Sequence, residues 1–111
     1  MQPLKAPNAI QSIARRMAEQ PHADYSIKAL AAEAGLAPVT FNGAFKAATG
    51  LPPHAHLISC RIAASKRMLA DRTVSIGAIS DQLRFSTPQH FANAFKRHVG
   101  VTPTDWRNRL R

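Results

Sequence analysis

Three side chains near the middle of the chain carry groups that bind metals or act as nucleophiles. His54, His56 and Cys60 lie in one short stretch, and a helix would place His56 and Cys60 one turn apart. Zinc normally takes four such ligands, and neither a second cysteine nor a nearby carboxylate completes the set. A cysteine nucleophile needs an oriented base and an oxyanion-binding loop, which the sequence does not offer. We therefore expect no metal, no cofactor and no enzymatic activity.

Charge indicates what the chain binds. The 111 residues contain 15 Lys and Arg against 6 Asp and Glu, a formal net charge of +9 at pH 7. Residues 61–111 hold ten basic against three acidic side chains, whereas residues 1–60 hold five against three. This excess favours a polyanionic partner, either nucleic acid or an anionic membrane surface. No segment combines a basic face with bulky apolar anchors, and no apolar run approaches the roughly 20 residues that cross a bilayer, so we expect no membrane partner.

Prolines and glycines divide the chain into segments whose apolar residues recur at helical spacing. No segment alternates with the period of a strand, so the sequence predicts an all-α fold. The predicted helices of the first part run from after Asn8 to Pro21, from Ser26 to Gly35, from Pro38 to Gly50 and from Pro53 to about Ala70. The last of these would be roughly 27 Å long and is the only element able to separate two lobes.

The second half of the chain repeats the first. Residues 26–30 match residues 75–79 at a shift of 49, and the match continues at a shift of 50, so the second copy has one additional residue in its turn. The later matches pair Phe41, Ala44, Phe45, Lys46, Gly50 and Pro53 with Phe91, Ala94, Phe95, Lys96, Gly100 and Pro103. Two copies are too few for a stacked repeat array. A short helix, a turn and a helix with a polar face instead form the unit that docks in a DNA major groove.

On these residues the chain resembles the DNA-binding domain of AraC/XylS-type transcription regulators, from about Asn8 to Arg107. The strongest match is the C-terminal signature of Ser75, Ile76, Ile79, Phe85, Ser86, His90, Phe91, residues 94–97, Gly100, Thr102, Pro103, Trp106 and Arg107. The first unit follows the same family at Leu30, Ala31, residues 34–36, Phe41, Phe45, Lys46, Thr49, Gly50 and Pro53.

The resemblance implies two homeodomain-like helix-turn-helix subdomains joined by a long connecting helix, about seven helices in all. It places the first unit at residues 8–52, the connecting helix at 53–70 and the second unit at 74–111, within one domain over residues 1–111. The implied function is sequence-specific binding of double-stranded DNA in bacterial transcription regulation, with the two recognition helices in successive major grooves.

By position in the family, two sets of side chains are candidates for DNA contacts. The base-contacting candidates are Val39, Thr40, Asn42, Gly43, Gln89, His90 and Asn93. The phosphate-contacting candidates are Lys46, Arg61, Lys96 and Arg97. Amide side chains can bind adenine through two hydrogen bonds, and a histidine can donate to guanine. The second unit, with two amides and most of the charge, is therefore expected to recognise bases better than the first.

Two departures from the family lead to an alternative function. Arg84 occupies the position of the turn glycine in the second unit, where a residue with a Cβ loses about 1 kcal/mol or more at positive φ. We expect that turn to be strained or differently shaped. The first recognition helix also has unusually short side chains. Both features favour, as the alternative, a family-like domain with degraded DNA recognition that acts mainly through protein-protein contacts.

The remaining expectations concern partners and location. The resemblance implies contact with RNA polymerase, and we expect the chain alone to be a monomer or a weak dimer. The single cysteine fits a reducing compartment. Together with the absence of an apolar leader, it predicts a cytoplasmic, nucleoid-associated protein.

Overall fold

A computed structural model describes residues 6–110 as seven α-helices, with no strand in that range. The helices are α1 (Ala6–Glu19), α2 (Ile27–Glu33), α3 (Pro38–Thr49), α4 (Pro53–Leu69), α5 (Ile76–Gln82), α6 (Pro88–Val99) and α7 (Pro103–Arg109). The predicted all-α class and its seven helices are confirmed. The predicted outer limits of the domain, residues 1 and 111, lie outside the described residues.

The chain divides into two compact units, Met1–Leu57 and Ile58–Arg111, and the division falls within α4. In the first unit α3 packs against both α1 and α2. The buried apolar residues of this unit are Ala9, Ile10, Ile13, Ala14, Met17, Leu30, Ala31, Ala34, Phe41, Phe45 and Leu57. Phe41 and Phe45 are fully covered, with ring centroids 5.7 Å apart. Each large apolar side chain buried in this way stabilises the fold by about 1.5–3 kcal/mol.

The two ends of α1 show what sequence patterning missed. The helix begins at Ala6, so Asn8 is an exposed residue inside it and the predicted start after Asn8 is wrong. A proline in the first helical turn needs no partner for an N–H group, so Pro7 allows the earlier start. At the other end, the Tyr25 hydroxyl lies 3.0 Å from the carbonyl oxygen of Arg16 and 2.8 Å from that of Gln20. Both oxygens also accept from a backbone amide, that of Gln20 at 2.7 Å and that of Ala23 at 3.2 Å, so the hydroxyl adds a side-chain contact to a helix end that the backbone already closes.

The second unit packs α6 against α5 and α7. Its core cluster contains Ile62, Ala64, Leu69, Ile79, Leu83, Phe85, Phe91, Ala94 and Phe95. The ring centroids of Phe91 and Phe95 lie 5.9 Å apart, close to the spacing of the matching pair in α3. The periodic aromatic residues of both copies are therefore core residues.

Arg107 holds α7 against the segment that follows α4. Its Nε donates to the carbonyl oxygen of Leu69 at 2.9 Å, and its terminal nitrogen donates to those of Asp71 at 3.1 Å and Val74 at 2.6 Å. Arg72 in turn donates to two carbonyl oxygens at the end of α7, at 3.0 and 3.3 Å. Each arginine therefore places positive charge at a helix C-terminus, where the helix dipole favours it.

The loop after α4 is also ordered by Asp71. The hydroxyl and the amide of Thr73 donate to Asp71 Oδ1 at 2.6 and 3.0 Å. These hydrogen bonds, with a smaller contribution from the charge of Arg107, lower the pKa of the Asp71 carboxyl below its usual range. The carboxylate thus keeps its charge, and with it this turn, down to a lower pH than in an unfolded chain.

Candidate nucleic-acid interface

Each unit contains a seven-residue helix, a turn and a twelve-residue helix. The short helices begin at matching serines, which confirms the repeat at the level of local structure. Ser26 Oγ accepts from the amide of Ala29 at 3.3 Å, and Ser75 Oγ accepts from the amide of Ala78 at 3.0 Å. A serine cap of this kind satisfies one of the free N–H groups at a helix start.

The turns of the two units have the same hydrogen-bond pattern. Gly35 has a φ of +72°, and the amide after it donates to the carbonyl five residues back at 2.9 Å. Arg84 has a φ of +63°, and the amide after it makes the equivalent bond at 3.0 Å. In both turns a residue with left-handed backbone conformation ends the helix, as in the common C-capping motif. The second turn therefore keeps the shape of the first, and Arg84 is the only non-glycine residue at positive φ among residues 6–110.

Replacing Arg84 with glycine should raise the free energy of unfolding by about 1 kcal/mol, because glycine adopts a φ near +63° without a Cβ clash. Urea denaturation measures the change. Arg84→Ala is the matched control, since it removes the guanidinium but keeps the Cβ, and the difference between the glycine and alanine variants isolates the backbone strain. A glycine variant no more stable than the alanine variant would contradict this explanation.

The start of α6 is fixed by two hydroxyl groups. Thr87 Oγ1 accepts from the amide of His90 at 2.9 Å, and Pro88 takes the first helical position. The buried Ser80 hydroxyl donates to the Thr87 carbonyl at 3.0 Å, so α5 and the first turn of α6 are joined directly. This pair was not predicted from the sequence, although a threonine before a proline is the expected signature of a helix start. In α3 the capping position is Ala37, which makes no side-chain cap bond.

The exposed face of α6 brings the candidate base contacts of the second unit together. Gln89 Nε2 donates to Asn93 Oδ1 at 2.8 Å, one turn further along the helix. The Nδ1 atom of His90 lies 3.1 Å from the Ser86 hydroxyl, and its ring packs edge-on against Phe85 with centroids 5.4 Å apart. Gln89, His90 and Asn93 are all exposed. These contacts limit the freedom of side chains that would otherwise have to be ordered on binding.

The corresponding face of α3 has a different character. Val39, Thr40, Asn42 and Gly43 are all exposed, and Val39 leaves 86% of its surface uncovered. Among these four, only Asn42 carries a group that can form two hydrogen bonds to one base edge. The structure therefore places all the predicted base contacts on exposed helix faces, with amides concentrated on α6.

The four candidates for phosphate contact fall into two groups. Lys46, in the last turn of α3, and Lys96 and Arg97, in the last turn of α6, are exposed. Arg61 on α4 is only 8% exposed. A residue with so little exposed surface has less of its side chain available to a phosphate than the other three, so the burial of Arg61 weighs against its predicted phosphate contact.

The histidine and cysteine stretch at the start of α4 is engaged in packing. His56 Nε2 lies 3.3 Å from the carbonyl oxygen of Ala14, and its ring packs edge-on against Phe45 with centroids 5.3 Å apart. Burial raises the pKa of the Cys60 thiol. An activated cysteine needs the opposite shift, because the thiolate is the nucleophile. Within residues 6–110, no group of three or more His, Cys, Asp or Glu side chains could hold a metal ion, and no helix is long and apolar enough to cross a membrane.

Comparisons with known proteins assign this arrangement to a family. Residues 30–109 match the family described as "Helix-turn-helix domain". The RCS-specific HTH-type transcriptional activator RclR of Escherichia coli K12 is 26% identical over 100 residues, which cover 90% of this chain and 35% of RclR. The HTH-type transcriptional regulator YobQ of Bacillus subtilis is 31% identical over 85 residues, 77% of this chain and 35% of YobQ. The chain thus spans about a third of the length of these relatives.

Solved structures show the same fold. The DNA-binding domain of the global transcriptional factor AdpA, solved in complex with a target DNA, superposes with a TM-score of 0.80 at 25% identity over 89% of each chain. A probable AraC family transcriptional regulator from Rhodopseudomonas palustris gives 0.82 at 23% identity over 94% of this chain and 98% of that one. The chain belongs to the helix-turn-helix family of AraC-type DNA-binding domains. The predicted family is confirmed, and with it DNA binding as the function of the domain.

Proposed function

We propose that this chain binds one specific sequence of double-stranded DNA with α3 and α6 as its recognition helices, placed in successive major grooves, and thereby regulates bacterial transcription. The observation that carries the proposal is the exposed face of α6, where Gln89, His90 and Asn93 lie together behind a capped helix start. A capped helix end with exposed amides at one-turn spacing suits the width and donor-acceptor pattern of the major groove.

Within this proposal the second unit supplies most of the base recognition. Gln89 and Asn93 are assigned to adenine, because an amide can accept from N6 and donate to N7 of that base. His90 is assigned to guanine. In the first unit, Asn42 is the residue assigned to adenine. The other candidates on α3, Val39, Thr40 and Gly43, are assigned to van der Waals contacts with base edges.

Phosphate contacts are assigned to Lys46, Lys96 and Arg97, with Arg61 omitted because it is buried. Lys96→Ala and Arg97→Ala should each weaken binding about equally on all duplex sequences and reduce the slope of log affinity against log salt by about 0.9. Fluorescence anisotropy across a salt series measures both quantities. Arg15→Ala, an exposed α1 variant with the same charge change, is the control. An equal slope change in this control would show that only net charge matters.

The alternative, a domain that acts mainly through protein contacts, is not favoured. One of the two reasons for it was Arg84 in the second turn, yet the hydrogen bonds of that turn match those around Gly35. Duplex binding that falls steeply with salt supports the DNA function, whereas salt-insensitive association with a protein supports the alternative.

The proposal extends to organisation and partners. We assign residues 8–52 and 74–111 to the two DNA-binding units and residues 53–70 to the connecting helix. The chain acts without a cofactor and without catalysis, as a monomer or a weak dimer. It works at the bacterial nucleoid in the cytoplasm, where it contacts RNA polymerase from its DNA site.

A further inference from the structure

We propose that α3 recognises thymine through its 5-methyl group, which packs against Val39 while Gly43 lets the helix backbone approach the base edges closely. The inference rests on the proposed DNA function and names the base feature that the first unit selects. It gives the two units different chemistries: α6 recognises bases by hydrogen bonds alone, whereas α3 adds an apolar contact to the hydrogen bonds of Asn42.

The first observation is the exposure of Val39. This side chain is 86% exposed, and Leu51, at 42%, is the other exposed large hydrophobic residue in the described part of the chain. Valine is a weaker helix former than alanine, so the fold gains nothing from valine at this site. Since single exposed apolar residues are common on protein surfaces, a second observation is needed to assign a role.

The second observation is Gly43, which lies four residues after Val39 on the same face of α3. Glycine is unfavourable inside a helix unless a close approach or a positive φ requires it. Gly43 has no positive φ, and a Cβ built on it would meet nothing within 4 Å. The fold of this chain therefore does not require glycine there. A bare stretch of helix surface is useful where another molecule must come close to the backbone.

The internal repeat allows this face of α3 to be compared with the matching face of α6. At a shift of 50, Val39, Gly43 and Lys46 correspond to Gln89, Asn93 and Lys96. The lysine is kept and exposed in both copies, so both faces end in a group suited to a phosphate. The hydrogen-bonded amide pair of α6 is replaced in α3 by an apolar side chain and a bare backbone.

Double-stranded DNA is the occupant that fits this combination. In the major groove the thymine 5-methyl group is an apolar feature that side chains recognise by contact, without hydrogen bonds. The charge of Lys46 at the end of this face, within a half of the chain that holds five basic against three acidic side chains, favours a polyanion over an apolar protein surface. The face therefore offers contact with a methyl group at its start and contact with a phosphate at its end.

The test uses the intact chain and the duplex that it selects from random DNA. The half-site of the first unit is the half whose base preferences are unchanged in Asn93→Ala. Each thymine in it is replaced, one at a time, by deoxyuridine, which lacks only the methyl group. We expect one replacement to weaken binding about fourfold, which corresponds to about 0.8 kcal/mol for one buried methyl-sized group. In Val39→Ala this penalty should fall below about twofold, while deoxyuridine penalties elsewhere stay unchanged.

A second variant separates binding from stability. Gly43→Ala should raise the Tm by about 4 °C, because alanine is the better helix former, and should weaken binding to the selected duplex at least about fourfold. A glycine with a purely structural role would not give these opposite effects. Gly77→Ala on α5 is the matched control, since its Cβ would meet only Ser75 Oγ at 4.0 Å. The control should be stabilised without losing the methyl dependence.

The outcomes distinguish this inference from the function on which it rests. If a specific site is selected but its first half contains no thymine, or the deoxyuridine penalty persists in Val39→Ala, the methyl contact is overturned and the DNA function stands. If no sequence is enriched at all, both fail. If Val39→Ala instead abolishes association with a protein and leaves DNA affinity unchanged, the face is a protein contact and the inference is overturned.

Discussion

Arg107→Ala should lower the free energy of unfolding of the second unit by about 3 kcal/mol. The guanidinium donates to three carbonyl groups, of Leu69, Asp71 and Val74, in the segment that follows α4. Hydrogen bonds from a charged donor contribute about 1.5–3 kcal/mol each, and bonds that share one donor group do not add fully. Truncation also removes this donor from the carbonyl oxygens of Leu69 and Val74, whereas that of Asp71 still accepts from the amide of Val74 at 3.2 Å. Chemical denaturation followed by Trp106 fluorescence measures the loss, since that residue lies beside Arg107 in α7.

Two variants test the geometry behind this expectation. Arg107→Lys keeps the charge but cannot donate from two nitrogens in a fixed plane, so it should recover less than half of the loss. Arg72→Ala removes an exposed arginine that donates only to the end of α7, and should cost about 1 kcal/mol. A lysine variant as stable as the original protein would mean that charge alone holds α7 in place.

Asn93→Ala and Gln89→Ala should each weaken binding to the selected duplex by about 1–3 kcal/mol and relax the preference for adenine at one position only. Because Gln89 donates to Asn93 at 2.8 Å, the two side chains form one unit. The double variant should therefore lose less than the sum of the two single losses. Affinities for a set of single-base variants of the site, measured at one fixed salt concentration, give these values.

The matched comparison is Lys96→Ala on the same helix, which should weaken binding to all duplexes alike. Losses in Asn93→Ala that are equally uniform would show that the amide acts on the phosphate backbone. Fully additive losses in the double variant would show that the amide pair seen in the free protein is not kept on DNA.

Much of the fold could be predicted because the sequence contains an internal repeat. The match between residues 26–30 and 75–79 shows that one supersecondary unit occurs in two copies, and each copy begins with the same serine cap. Helical periodicity then identified the aromatic residues of α3 and α6 as core residues. The start of α1 was predicted wrongly because two signals compete there. Asn8 suits the capping position before a helix, whereas Pro7 suits the first turn of a helix that begins earlier.

The candidate site was only partly predictable. The match to the family's pattern identified side chains that the structure places on exposed faces. It could not show that Arg61 is buried, because burial depends on tertiary packing. The pairing of Ser80 with the Thr87 carbonyl and the three bonds of Arg107 join residues that the repeat does not relate. The turn at Arg84 was expected to be strained or reshaped, and the structure shows a positive φ with the hydrogen bonds retained.

Both units are expected to contact bases on one duplex. Selection of the chain on randomised double-stranded DNA, followed by sequencing and salt titration of the enriched site, tests this expectation. We expect one asymmetric site whose two enriched parts lie about 10–10.5 base pairs apart, one helical turn of DNA. Asn93→Ala should alter only one of the two parts. Enrichment of no sequence, with binding that depends on salt alone, would show that neither unit recognises bases.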